Sequence, residues 1–184
     1  VRTRVTMAVS PDLKKWHTPR EVLRPDAKDD QEQMFFDNLA FDRYGSQYIG
    51  FLSLQPRNGK DKGRIELVAS TDGLSWHRSR ERVSFVNPGL PGSWDAGHVW
   101  TMKNIVSYGD WIYLYYSGSS LPWRTRFPDN SKGIGLARIK RGRFVGYYGG
   151  IDGGHLLSRE VEVTGPELII NCSVEHRAFS RMWH

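Results

Sequence analysis

Hydrophobic and polar residues alternate along most of the chain in short runs that turn residues separate. The alternation is clear in FFDNLAF, and an unbroken apolar and aromatic run occurs in WIYLYYSG. Both patterns are typical of β-strands, and no segment has the spacing of a convincing amphipathic helix. The pattern therefore predicts an all-β chain with strands at about residues 33–43, 47–54, 64–70, 76–84, 93–107, 111–118, 132–139 and 143–148.

An internal repeat of 60 residues organises these strands. It aligns MAVSPDLKKWHTPREVL with LVASTDGLSWHRSRERV, so that Ser10 and Asp12 correspond to Ser70 and Asp72, and GLARIKRGRFVGY is a weaker third copy. Asp and Ser side chains bond to backbone amides in tight turns, and Gly73 allows a positive φ. Each copy therefore predicts a strand, a tight turn and a second strand.

A second repeated unit precedes each later copy of the turn and has an early Asp, a Gly-containing turn and an aromatic strand. Asp37 and Asp95 occupy the early position, 58 residues apart. Together the units supply four strands per repeat, as in a β-propeller blade, and propellers need at least four blades. The sequence predicts about two and a half blades of a longer protein: half a blade at 1–28, blades at 29–87 and 88–150, and the truncated start of another β module at 151–184.

Composition supports this class of protein. The chain has 19 Gly and 12% aromatic residues, and its formal net charge is +6. The basic residues form short groups at predicted turns, which favours solvated charges over a nucleic-acid-binding stripe. No apolar run approaches the roughly 20 residues of a membrane span. The single Cys172 excludes an internal disulfide and, within its apolar stretch, is predicted to be buried.

The chain resembles the glycoside-hydrolase-like five-bladed β-propellers of the invertase, levansucrase and arabinanase superfamily (glycosyl hydrolase family 32/43-like). The resemblance covers about residues 5–172 and rests on an ordered series of motifs: VSPDLKKWHTPREVL, FFDNLAF, IELVASTDGLSWHR, GSWDAGHVW, GDWIYLYYSG, KGIGLARIKRGRFV and GGHLLSREV. It implies further blades before Val1, a β-sandwich after about residue 155, and an extracellular or periplasmic location. It also implies an axial funnel lined by the innermost strands, with acidic residues from three blades.

Asp37 and Asp95 are the predicted catalytic residues. Glycoside hydrolysis commonly uses two carboxyl groups, and these two occur at the same early position of strands that the resemblance makes innermost. For each, the structural alternative is an Asp that bonds to the backbone of the next blade. Glu66 is a weaker candidate because it falls in a third strand, away from the expected funnel.

Residues near these carboxylates are predicted to bind the sugar. Aromatic rings can stack on sugars or pack between blades, and an Asn can bond a hydroxyl or cap its own strand. Strict alternation places His98 on the opposite side of its strand from Asp95, which favours a structural role unless a bulge intervenes. Loop arginines suit a carboxylate or sulfate, or lie in solvent. The predicted substrate-binding residues are Asn38, Trp94, His98, Tyr116, Trp123, Arg124 and Arg126.

The sequence thus predicts a glycoside hydrolase that acts on an oligo- or polysaccharide by carboxylate acid–base catalysis. Its expected partner is a carbohydrate, and the arginines allow an anionic one. No metal or cofactor is expected, because the histidines lack zinc spacing and no phosphate-binding glycine loop precedes a helix. The alternative is a non-catalytic propeller that binds glycans or proteins through its face.

Overall fold

The computed structural model describes residues 3–125, 131–158, 160, 162, 165–167 and 170–172. The chain divides into two compact units, Val1–Ile139 and Lys140–His184. Apart from one short helix, α1 (Ala27–Gln31), the regular elements of the described residues are strands in antiparallel sheets. The predicted all-β class is therefore confirmed.

The strands form three sheets. The first pairs β1 with β2, the second has the order β3-β4-β5-β6 with β7 also on β5, and the third has the order β10-β9-β8. The strands are β1 (Val5–Met7), β2 (Arg20–Leu23), β3 (Met34–Tyr44), β4 (Gln47–Pro56), β5 (Arg64–Ser70), β6 (His77–Arg78), β7 (Ser84–Val86), β8 (His98–Tyr108), β9 (Trp111–Ser119) and β10 (Lys132–Lys140).

Three predicted strands differ from the structure. The strand at 76–84 is broken into β6 and β7, because a turn follows Ser79 and Arg82 adopts a φ of 56°. The strand at 93–107 begins only at His98, after a turn in which the Ala96 N–H bonds to the Ser93 carbonyl at 3.2 Å. The strand at 143–148 does not form, and no described residue after Lys140 lies in a helix or strand.

The repeated turn has the predicted hydrogen bonds. In each copy the Asp Oδ1 accepts from the backbone N–H groups two and three residues later, at 2.8 Å for Asp12 and 2.7 Å for Asp72. Ser10 and Ser70 donate their hydroxyls to the same aspartates at 3.3 and 3.0 Å. The four residues are therefore turn residues, as the sequence predicted.

The main hydrophobic core lies on the sheet β3–β7. Along β3 and β4 its residues occupy alternate positions, as the two-residue period of side chains in a strand requires. Trp76, from the second turn repeat, is 6% exposed, while the equivalent Trp16 beside the two-stranded sheet is 57% exposed. The core cluster consists of Met34, Phe36, Leu52, Leu54, Val68 and Trp76.

A buried ionic network joins α1 to this sheet. The Arg78 guanidinium donates to both oxygens of Asp29, at 2.6 and 2.8 Å, and to Glu66 at 2.7 Å. Burial by itself raises the pKa of Asp29, but the hydrogen bonds from Arg78 and from the Asp26 N–H bring it below its ordinary value. Glu66 is thus tied to Arg78 within its own sheet, and Arg78 in turn lies over the ring of Phe36.

Strand β8 contacts β3 and β4 through polar side chains. The Thr101 N–H donates to Ser53 Oγ at 2.9 Å, and Asn38 Nδ2 donates to the Thr101 carbonyl at 3.2 Å. Gln55 Nε2 donates to the Val99 carbonyl, also at 3.2 Å. These bonds satisfy backbone groups of β8 and bring residues of the second and third sheets to one place.

Within the second unit, side chains donate hydrogen bonds to backbone carbonyls of loop residues. Asn171 Nδ2 donates to the Gly142 carbonyl at 3.1 Å, and the Arg143 guanidinium donates to the Cys172 carbonyl at 3.0 Å. The prediction that Cys172 is buried was wrong, since the residue is exposed. The described residues around it form no strand that would cover it. Across the described ranges, no helix has the length and apolar character needed to cross a membrane.

Candidate functional site

A cleft of about 190 Å³ opens in the first unit, where residues of β3, β4, β8 and β10 meet the loop after β9. Pockets for drug-sized ligands are usually larger, roughly 300–1,000 Å³, so the space suits a small ligand group. Its walls combine one carboxylate, one imidazole, one amide, one ammonium and two indoles. The lining residues are Asp37, Gln55, His98, Trp100, Trp123 and Lys132.

Asp37 reaches the cleft because β3 contains a bulge. Phe36 pairs with Leu54 and Asn38 pairs with Ser53, so Asp37 is an extra residue without a partner in the ladder. An extra residue breaks the strict alternation of a strand and re-aims its side chain. Phe36 stays in the core, while Asp37 and Asn38 are both exposed.

The surroundings of Asp37 raise the pKa of its carboxyl group. Desolvation by neighbouring atoms raises the pKa of this carboxyl above its ordinary value, and the positive form of His98 offsets part of the increase. A carboxyl group with a raised pKa keeps its proton over a wider pH range and can donate it to a leaving group.

His98 faces the same cleft in a defined tautomer. Its Nδ1 lies 2.7 Å from the Leu121 carbonyl oxygen, which can only accept, so Nδ1 carries a proton and Nε2 is the nitrogen that titrates. Burial lowers the pKa of His98, the bond to Leu121 raises it, the charge of Lys132 lowers it, and Asp37 raises it, with a net decrease. The ring stacks on Trp100 at a centroid distance of 4.5 Å.

The loop after β9 supplies another wall of the cleft. Trp123 donates its Nε1 proton to the Pro56 carbonyl at 2.8 Å and packs on Phe35 at 5.2 Å. Arg124 lies over the Trp123 ring at 5.0 Å, with its aliphatic stem against Gly59, and is not a lining residue. Arg126, the other predicted arginine, lies outside the described residues.

Asp95 belongs to a second cluster. Its carboxylate accepts from Ser93 Oγ at 2.9 Å and from the Tyr116 hydroxyl at 2.8 Å. Desolvation, followed by the bond to Asp95 and its charge, raises the pKa of Tyr116 to about 12. Trp94 stacks on Tyr116 at 5.9 Å and lies over two glycines of β9 and β10.

The structure thus divides the predicted site residues, apart from Arg124 and Arg126, into two groups. Asp37, His98 and Trp123 line one cleft, and Asn38 is adjacent to Asp37 in the chain. Asp95 is buried and is not among the lining residues, so its catalytic role stays a prediction. The second group also contains the predicted residues Trp94 and Tyr116.

Three cleft residues lie outside the predicted set of site residues: Gln55, Trp100 and Lys132. Gln55 had a signal: it is a polar residue near the end of the apolar run IGFLSLQP, where β4 is buried on both faces. Lys132 had none beyond its place at the start of a strand. In the described part of the chain, no group of three or more His, Cys, Asp or Glu side chains is arranged to hold a metal ion.

No protein-family model matches the chain, and no curated protein sequence matches it significantly. Three solved structures are similar: a complex of BT0996 and RGII (TM-score 0.55, 19% identity), a glycoside hydrolase (0.54, 18%), and an N-acetylgalactosamine deacetylase from F. plautii in complex with blood group B trisaccharide (0.53, 20%).

The similarity establishes a shared fold. The match to the BT0996 complex covers 74% of this chain and 36% of the other chain. For the glycoside hydrolase the two shares are 73% and 35%, and for the deacetylase they are 75% and 42%. This chain therefore spans well under half the length of each of these structures. At such identities the likeness concerns the fold and assigns no residue a role.

Proposed function

We propose that this chain is part of a glycoside hydrolase and that Asp37 supplies one of the carboxyl groups that act on the glycosidic bond. The observation that supports this is the placement of Asp37 by a bulge in a cleft with His98 and two tryptophans, where its pKa is raised. Indole rings suit the apolar faces of sugars, and a carboxyl group with a raised pKa suits proton donation to a glycosidic oxygen.

In the proposed reaction Asp37 is the general acid. Its proton passes to the glycosidic oxygen as the bond from that oxygen to the anomeric carbon breaks. A water molecule bonds to the anomeric carbon, and a second carboxylate takes the proton that the water loses. Asp95 is the second candidate, but both its oxygens accept hydrogen bonds outside the cleft lining, so we expect it to matter less than Asp37.

The same proposal covers the architecture. We regard the sheets β3–β7 and β8–β10 as two blades of a five-bladed propeller, with β3 and β8 as their innermost strands. The proposed limits of these blades are 29–87 and 88–150. Half a blade at 1–28 precedes them, and a further β module begins at 151. The hydrogen bonds that link Asn38, Ser53 and Gln55 to β8 support neighbouring blades. We also propose an extracellular or periplasmic location, which rests on the family resemblance.

The structural neighbours support a carbohydrate ligand. One is called a glycoside hydrolase, and another is a deacetylase described in complex with blood group B trisaccharide. A specific observation also favours the alternative of a non-catalytic glycan-binding propeller. Trp94 is 42% exposed and its ring is held by Tyr116 and the glycines beneath it, as in an aromatic stacking platform.

The deciding experiment compares Asp37→Asn and Asp95→Asn with the wild type on a panel of plant and mucin oligosaccharides. Product release by chromatography and sugar binding by calorimetry are both measured. We expect Asp37→Asn to lose about 10²- to 10⁴-fold in turnover, which is typical when a general acid is removed, and to keep sugar binding. Asp110→Asn, in an exposed turn, is the matched control and should be unchanged.

Two results would contradict this function. Equal turnover of Asp37→Asn and wild type would exclude Asp37 as the acid. Binding of sugars by all variants, with no turnover even by the wild type, would favour the binding module.

A further inference from the structure

Gln55 is a buried polar residue that the proposed catalysis does not use. It lies near the end of β4, is 2% exposed, and lines the cleft with Asp37 and His98. Its Nε2 donates to the Val99 carbonyl at 3.2 Å. Its Oε1, in contrast, is buried, and no described residue donates a hydrogen bond to it.

The position of Oε1 is imposed by its neighbours. Turning the amide by 180° would place Oε1 against the Val99 carbonyl oxygen, and two acceptors repel each other. Gly63 leaves room for the amide, because a Cβ at that position would collide with Oε1. The orientation that leaves Oε1 without a donor is therefore the one that the surrounding backbone selects.

A buried amide oxygen without a donor is costly, and native proteins rarely keep one unless a ligand or an ordered water satisfies it. Gln55 is also one of the residues that line the cleft. The missing donor is thus expected beside the cleft, where a hydroxyl group of a bound molecule can supply it.

We propose that Gln55 Oε1 accepts a hydrogen bond from one hydroxyl group of the saccharide bound in the cleft, which makes Gln55 a specificity-determining residue. This deepens the proposed function and rests on it for the class of ligand. An amide oxygen gains a bond from a hydroxyl group and none from a deoxy position, a carboxylate or a sulfate. Gln55 therefore selects a sugar that is neutral and hydroxylated at that position.

The test measures binding, so it does not depend on turnover. Methyl glycosides of galactose, glucose, mannose and arabinose are titrated into the protein by calorimetry, and the monodeoxy derivatives of the tightest binder follow. In the wild type, one deoxy derivative should bind about tenfold more weakly than its parent, the usual worth of one neutral hydrogen bond. In Gln55→Met, the same derivative should bind as well as its parent.

Gln47→Met is the matched control, because it makes the same change on β4 at an exposed position. It should keep the wild-type pattern. Thermal unfolding of each variant is recorded, and if Gln55→Met does not fold, Gly63→Ala replaces it, since the added Cβ displaces the whole amide group of Gln55, Oε1 included.

The possible failures are distinct. An unchanged tenfold penalty in the variant would overturn the role of Gln55 and leave the proposed function intact. Failure of all four glycosides to bind would overturn both proposals. Binding with the predicted loss of discrimination, but without any hydrolysis, would support Gln55 and contradict only the catalytic role of Asp37.

Discussion

At Asp37, a local irregularity of the strand changes the surroundings of one side chain. In a regular strand, successive side chains point to opposite faces. Without a bulge, Asn38 would therefore lie on the same face as Phe36, which is the core face. The bulge lets Phe36 stay in the core while Asp37 reaches the cleft. The cost is partial desolvation of a carboxyl group that remains exposed, which raises its pKa.

This cost predicts a dependence of stability on pH. The pKa of Asp37 is raised above 3.8 in the folded protein, so the folded state binds this proton more tightly than the unfolded chain does. The resulting stabilisation is present below pH 3.8 and is lost as the pH rises through the folded pKa. Asp37→Asn should therefore have a higher Tm than wild type at about pH 7 and an equal Tm near pH 3, by circular dichroism.

The control for that measurement is Asp110→Asn, whose Tm should follow the wild type at both pH values. A lower Tm of Asp37→Asn at neutral pH would mean that the Asp37 carboxylate makes a stabilising contact, and it would count against the general-acid assignment.

At the scale of elements, both copies of the repeated turn form the same Ser and Asp hydrogen bonds, although one turn position holds a different residue in each copy. Leu13 and Gly73 occupy equivalent positions in the repeat, and both are left-handed, with φ of 60° and 74°. Only Gly adopts this conformation without strain between Cβ and the backbone. The Asp and Ser bonds are thus strong enough to hold a leucine where a glycine is preferred.

We expect Gly73→Ala to lower the free energy of unfolding by about 1 kcal/mol, because of the positive φ. Leu13→Gly should raise it by roughly 0.5–1 kcal/mol, the strain relieved minus the greater backbone entropy of glycine. Urea denaturation measures both. Gly146→Ala, at an open position without positive φ, should change little, and destabilisation by Leu13→Gly would show that the strain is absent.

At the scale of the whole first unit, contact between the second and third sheets depends on buried hydrogen bonds. Ser53 is fully buried and accepts from the Thr101 N–H, and Thr101 also accepts from Asn38. The cleft is built from both sheets, since Asp37 and Gln55 come from one and His98 and Lys132 from the other. Anything that loosens this contact should therefore affect the cleft.

Ser53→Ala leaves the Thr101 N–H buried without its acceptor. We expect a loss of about 1–3 kcal/mol in the free energy of unfolding, the usual cost of such a group. Hydrogen exchange followed by NMR should show faster exchange of the Thr101 amide. Ser107→Ala, at an exposed position on β8, is the control, and equal exchange in both variants would mean that Ser53 does not protect this amide.

Several parts of the fold and site follow from the sequence. The turn residues Ser10, Asp12, Ser70 and Asp72 and strands such as β4 and β5 were predictable, because local side-chain bonds and alternation determine them. Asp37 was chosen as a candidate through its repeat position, and the structure places it in the cleft. The division of the predicted strand at 76–84 into β6 and β7 was not predicted, since the backbone breaks at a turn that the pattern does not mark.

The sequence by itself determined the all-β class, the repeat and its turns, because these depend on interactions between residues a few positions apart. The tertiary structure alone decided that His98 and Gln55 share a cleft with Asp37, that Asp95 bonds to Tyr116, and that Asp29, Glu66 and Arg78 form one buried network. These contacts join residues distant in the chain. Their geometry depends on a bulge, on where β8 begins and on how two sheets meet, none of which leaves a local pattern.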